Sequence, residues 1–218
     1  MQVKRHHRIA RALWAASVGA AVALGVGWLA ARAWAGPARV TWEAEKPSKR
    51  EDPWAIESAS KTEKRKRLVA GDAYIWHPML WPPKSRPKNA KVPPKQLVYE
   101  FNVPTTGVYY CWAKTWWYDE CHNSFWVAFD KDVPAADWAS LSHDERTPKE
   151  KAYVFGEDTV YKRWHWVRYH SGDLATGGGV QLTKGAHRLY LRAREDGVSI
   201  DRFLLTSDRD YIATGLNG

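Results

Sequence analysis

The chain has 218 residues, 44% of them hydrophobic, and a formal net charge of +9. That length holds one folded domain and an anchor, but hardly two domains. The basic excess is spread over the N-terminus, residues 61–67 and residues 84–95, with no helix-turn-helix, zinc-finger or RNA-binding signature, so nucleic acid is not the expected partner.

Residues 1–11 carry Lys4, Arg5, Arg8 and Arg11 and read as a basic cytoplasmic tail. Residues 12–31 have no charge, and 12–34 read as one transmembrane helix, long enough for a hydrocarbon core of about 30 Å. The positive flank puts the N-terminus in the cytoplasm and the folded part outside it. The expected location is a bacterial inner membrane, with the domain periplasmic or extracellular. Ala33-Trp34-Ala35 also has the small-x-small form of a signal-peptide cleavage site. A cleaved leader and a retained anchor therefore both stand, and the length of the apolar run favours the anchor. Ala15, Gly19, Ala23, Gly27 and Ala31 recur every fourth residue, a small-residue stripe on which another helix can pack closely in lipid.

Residues 35–67 read as a linker with a first strand at 40–45 and a short one at 54–56. The remainder of the β domain follows, over 68–218, beginning with a glycine-broken strand at 68–76. Residues 77–95 hold six prolines and cannot be a central strand. They form a long loop with an apolar Met79-Leu80-Trp81 tip. Residues 96–103 alternate as a strand. Residues 107–130 then hold both cysteines and four of the 14 tryptophans. Tyr109, Cys111, Ala113 and Thr115 fall on one face and Tyr110, Trp112, Lys114 and Trp116 on the other. Phe125, Val127 and Phe129 share a face of a second strand, and the polar residues between them predict a hairpin turn. A short helical turn is expected at 135–141, and strands at 164–169, 179–182, 187–193 and 198–206, with 179–182 and 187–193 joined by a Lys184-Gly185 turn. The expected class is mainly β: an antiparallel sandwich behind one transmembrane α-helix.

Catalytic constellations fail. Ser142, His143 and Asp144 are adjacent, whereas a nucleophilic triad converges from separate places. Asp119-Glu120 cannot flank a substrate as an acid/base pair does. Gly177-Gly178-Gly179 precedes a strand and lacks the helix N-terminus that cradles phosphate. No enzyme is expected. Cys111 and Cys121 allow one disulfide, or Cys111 serves as a small buried hydrophobe.

The order Glu43-Ala44-Glu45, Gly107-Val108-Tyr109, Asn123-Ser124-Phe125, Trp164-His165-Trp166, Gly185-Ala186-His187, Arg194-Glu195-Asp196-Gly197 and Ile200-Asp201-Arg202 resembles carbohydrate-binding modules of the galactose-binding-like jelly-roll type, over residues 40–214. The resemblance implies a jelly-roll sandwich without catalytic machinery. It also implies a structural calcium held by Glu43, Glu45 and Asp201, since carboxylates suit a hard cation. Sugar contact by exposed aromatics and an asparagine points to Trp116, Trp117, Tyr118 and Asn123, with Trp81 as a further contact residue. Two function classes follow. One is an accessory structural subunit of a larger membrane complex, with membrane-protein subunits and the lipid bilayer as partners. The other is a membrane-anchored module for cell-wall or extracellular glycan.

Overall fold

The computed structural model describes residues 36–60, 68–80, 95–132, 153–156, 159–169 and 177–218, the backbone alone for 153–156. The basic tail, the helix expected over 12–34 with its small-residue stripe, Trp81 and the turn expected at 135–141 lie outside these residues. Among the described residues no helix is long and apolar enough to cross a membrane. The folded unit runs from Ala38 to Gly218.

Two antiparallel sheets make up this unit. One has seven strands: β1 (Arg39–Glu43), β3 (Ala55–Ser58), β4 (Ala73–Trp76), β6 (Gly107–Trp116), β9 (Trp164–Arg168), β10 (Val180–Leu182) and β12 (Ser199–Thr206). The other has five, in the order β2 (Lys49–Arg50), β5 (Gln96–Val103), β11 (Gly185–Ala193), β7 (Ser124–Phe129) and β8 (Tyr153–Gly156). The pair β6 and β12 is the centre of the larger sheet. On the far side of β6, β10 covers its beginning and β9 its end. On the far side of β12, β4 covers its beginning and β1 the rest.

The alternation read in β6 is the one observed. Tyr109, Cys111 and Ala113 face the sandwich core with Trp117, and Phe125 and Val127 of β7 join them from the other sheet. The hairpin is not observed. β6 belongs to the seven-stranded sheet and β7 to the five-stranded one, so the connection between them crosses from sheet to sheet. The same holds for β10 and β11, on either side of Lys184. Period two fixes which face a residue takes but not which strand lies beside it. Cys111 and Cys121 are not joined in a disulfide; Cys111 is fully buried, and burial pushes its thiol far above the ordinary range.

Aromatic rings join the sheets. Trp42 of β1 stacks on Phe101 of β5 at 4.8 Å and on Phe203 of β12 at 5.4 Å. Tyr99 of β5 lies 5.2 Å from Phe203 and donates its hydroxyl to the Ala44 carbonyl at 2.7 Å. That bond satisfies the one polar atom that a buried tyrosine carries into the core.

Phe203 touches rings from both sheets and is fully buried. Phe203→Ala is expected to lower stability by about 3–5 kcal/mol, because the vacated volume between two sheets collapses only in part. Equilibrium denaturant unfolding checks this; a loss of under about 1 kcal/mol would show that the sheets repack without it.

Candidate functional site

The loop between β6 and β7 was the expected contact patch. The structure turns most of it inward. Trp117 is fully buried beside Phe125 at 6.0 Å, and Trp116 is 6% exposed, edge-on to Trp164. Asn123 is buried, and its N–H donates to Glu195 Oε2 at 2.9 Å. Ser124 Oγ meets the same carboxylate oxygen at 2.7 Å. Of the expected residues in this loop only Tyr118 keeps a partly open ring, with Lys162 Nζ 5.0 Å above it. A loop that must cross between sheets passes over the end of the core, and Trp117 fills that end, while Trp116 closes β6 against Trp164 outside the core.

Two of the three carboxylates expected to hold calcium are met by protein cations. Glu43 pairs with the Arg202 guanidinium through Nη2 and, at 3.3 Å, through Nε. Asp201 is fully buried; it accepts the Ala70 N–H at 2.9 and 3.0 Å and lies 2.9 Å from Lys114 Nζ. Burial pushes its carboxyl above the ordinary range, against the Ala70 N–H and the Lys114 ammonium. Glu45 Oε2 is buried without a hydrogen-bond partner among the described residues, and burial pushes this carboxyl up as well. Among the described residues no three His, Cys, Asp or Glu side chains are grouped to hold a metal ion. This donor set does not fit a divalent cation, because two of its three carboxylates already carry a counter-charge.

The outer face of the five-stranded sheet is built differently. Leu97, Tyr99, Phe101 and Val103 of β5 and Leu189 and Leu191 of β11 point into the core. The alternate positions therefore point away from it: Gln96, Val98, Glu100 and Asn102 on β5, Arg188, Tyr190 and Arg192 on β11, and Trp126 and Ala128 on β7. Register sets Tyr190 between Val98 and Ala128. Two small neighbours leave the half-buried phenol ring room on both sides. Arg188 stands opposite Glu100 and meets its Oε1 through Nε at 3.0 Å and Nη2 at 2.9 Å. The Tyr190 hydroxyl and then Glu100 raise the Arg188 pKa.

Two open depressions lie along this face. One, of about 470 Å³, is lined by Glu100, Asn102, Asp130, His187, Arg188 and Tyr190 among others. The other, of about 310 Å³, shares Glu100, Arg188 and Tyr190 and continues over Lys49, Gln96 and Asp132. Together they form one shallow trough over β5 and β11. Its polar groups are held in place. Gln96 Nε2 donates to Asp132 Oδ1 at 3.0 Å, and the Arg188 N–H donates to Asp130 Oδ1 at 2.8 Å. Asp130 directly follows β7 with φ 55, a conformation that aspartate tolerates better than most side chains. The trough residues escaped the sequence reading because alternating polar positions on a strand look like an ordinary solvated face.

His187 closes one end of the trough. Its Nδ1 lies 2.6 Å from Asp130 Oδ2 and its Nε2 2.7 Å from the Thr183 carbonyl. Both partners are acceptors, so only the imidazolium, with two N–H donors, satisfies both. Burial alone would lower the His187 pKa, but the Asp130 and Thr183 bonds together with the Asp130 charge outweigh it and raise it.

No family model matches the chain, and no curated protein matches it. Solved structures do. The C-terminal family 6 carbohydrate-binding module of a laminarinase from Zobellia galactanivorans aligns at TM-score 0.44 and 14% identity, over 77% of this chain and 98% of that one. A family 35 module from Clostridium thermocellum aligns at 0.45 and 11%, over 77% and 96%. A β-(1,4)-mannanase from Podospora anserina that carries a family 35 module aligns at 0.48 and 12%, over 80% of this chain and 29% of that one. The chain thus spans nearly all of the isolated modules and under a third of the larger enzyme.

A raised folded pKa means that His187 contributes fully below the ordinary histidine value of about 6.5 and loses its contribution as pH rises through the folded value. The melting temperature of the protein is expected to exceed that of His187→Gln most at acidic pH, with the gap narrowing as pH rises. Thermal melts of both proteins across the histidine range test this, and a gap independent of pH would contradict it.

Proposed function

We propose that the chain is a non-catalytic glycan-binding module whose binding face is the trough over β5 and β11. The observation that carries this reading is the composition of the trough: one half-open aromatic ring, Tyr190, set among hydrogen-bonding groups already fixed by their neighbours. A flat ring offers an apolar surface with a polar edge, which matches the C–H face of a pyranose. Carboxylates, amides and a guanidinium around it match the ring's hydroxyls. Because these groups are held before binding, little side-chain freedom is lost when a sugar arrives. An open trough along two strands suits a run of sugar units better than a small molecule, which is usually enclosed.

The same fixing speaks against hydrolysis. Glu100 is tied to Arg188, Asp130 to His187 and the Arg188 N–H, and Asp132 to Gln96. These carboxylates act as acceptors, whereas a glycosidase needs a carboxylic acid free to protonate the leaving oxygen. The reading as an accessory subunit of a membrane complex depends on residues 12–34 and takes no support from the described residues.

Affinity electrophoresis through soluble β-glucans, galactans and mannans tests the proposal. At least one polymer is expected to retard the protein, and Tyr190→Ala is expected to weaken that binding about tenfold or more, roughly 1.4 kcal/mol, with Phe203-centred packing unaffected. Free migration through every polymer, or unchanged retardation of Tyr190→Ala, would sink it.

A further inference from the structure

Lys114 sits on the outer side of β6, yet its side chain is only 3% exposed. Its ammonium meets three oxygens: Asp201 Oδ2 at 2.9 Å, the Leu68 carbonyl at 2.7 Å and the Leu216 carbonyl at 3.4 Å. An ammonium has three N–H donors and no acceptor, so every donor is used. The oxygens come from three parts of the chain: the segment before β4, β12, and the tail after β12. One carboxylate with backbone carbonyls is also the kind of oxygen set that holds a hard metal cation.

Local backbone features converge on this cage. The β6–β12 register shifts between Ile200 and Arg202, with Ile200 opposite Thr115 and Arg202 opposite Lys114. Asp201 is the extra residue of that bulge. A bulge re-aims a side chain, and here it delivers a carboxylate to Lys114 while Ile200 and Phe203 both stay in the core. Leu68 holds φ 61, a left-handed conformation that a leucine rarely adopts, and its carbonyl is the one nearest Lys114 Nζ. Removing either member of the pair would strand a buried charge.

We propose that the Lys114 ammonium is the resident cation of this domain, joining β6, β12, the segment before β4 and the C-terminal tail in place of a metal ion, so that the fold is independent of calcium. Glu43 is already neutralised by Arg202.

Melting of the full chain in mild detergent, in excess EDTA and in excess calcium, decides the matter. The unaltered protein is expected to melt at one temperature in both and to give no calcium-binding heat by titration calorimetry. Lys114→Ala empties the oxygen cage. It is expected to melt several degrees lower in EDTA and to regain part of that loss in calcium. If Lys114→Ala does not fold in EDTA, refolding on calcium addition is the corresponding result, and if it folds in neither, the unaltered protein decides alone. A calcium-dependent melt or a binding isotherm for the unaltered protein overturns the proposal. So does a folded Lys114→Ala that melts like the parent or ignores calcium.

Discussion

A sheet that buries one face in a sandwich still has to dispose of the other, and this constraint shapes the molecule. The two sheets meet it in opposite ways. On the seven-stranded sheet Trp112 and Leu204 point outward, and the chain after β12 returns to cover them with Ala213, beside Trp166 and Tyr211. Trp166 Nε1 donates to the Gly215 carbonyl at 3.1 Å, and the Arg39 guanidinium lies 4.0 Å over the Tyr211 ring. Lys114, on the same outer side, is buried by the same tail. Among the described residues no segment covers β5 and β11 of the five-stranded sheet in this way. Of its outer positions there, Gln96, Val98 and Arg192 are buried, while Glu100, Asn102, Arg188 and the half-buried Tyr190 stay open as the trough.

Buried charge on the covered side acts on geometry more than on net stability. An ion pair taken out of water gains little over apolar residues of the same volume, but losing one partner is expensive. Lys114 and Asp201 therefore select the bulged register of β12 over an unbulged one, and the bulge keeps both Ile200 and Phe203 in the core. Through Phe203 the effect reaches the ring stack of Trp42, Phe101 and Tyr99, which fixes β5 against the larger sheet. The strand that carries Glu100 and Asn102 is positioned by that stack. The closed side of the molecule thus sets the frame on which the open side displays its polar groups.

Much of the strand content was legible in the sequence, because residues 96–103, 107–116, 124–129 and 199–206 carry long alternations of large apolar side chains. Pairing was not legible. Tyr118, Asp119 and Asn123 have turn chemistry, and a polar loop between two alternating runs reads as a hairpin whether or not the strands pair. In the fold those polar atoms are satisfied internally: the Cys121 N–H by Asp119 Oδ1 at 2.9 Å and the Asn123 N–H by Glu195. That is what lets Trp117 turn inward. β2 has two residues, too few for any period to show, and β8 has four. The acidic set Glu43, Glu45 and Asp201 came only from the family resemblance, and Lys114, 87 positions from Asp201 in the chain, became the counter-ion of Asp201 only through β6–β12 register. The trough was hidden for the related reason that Glu100, Arg188 and Tyr190 form a surface only when β5 and β11 lie side by side.

The central claim is that sugar binds on the open face and not at the loop end or the covered face. Amide chemical-shift mapping of the isotope-labelled protein, titrated with an oligosaccharide of whichever polymer it binds, tests this residue by residue. Shifts concentrated at Glu100, Asn102, Arg188 and Tyr190 are the predicted result. Shifts concentrated at Tyr118 to His122, or at Trp166 and the tail after β12, would contradict it.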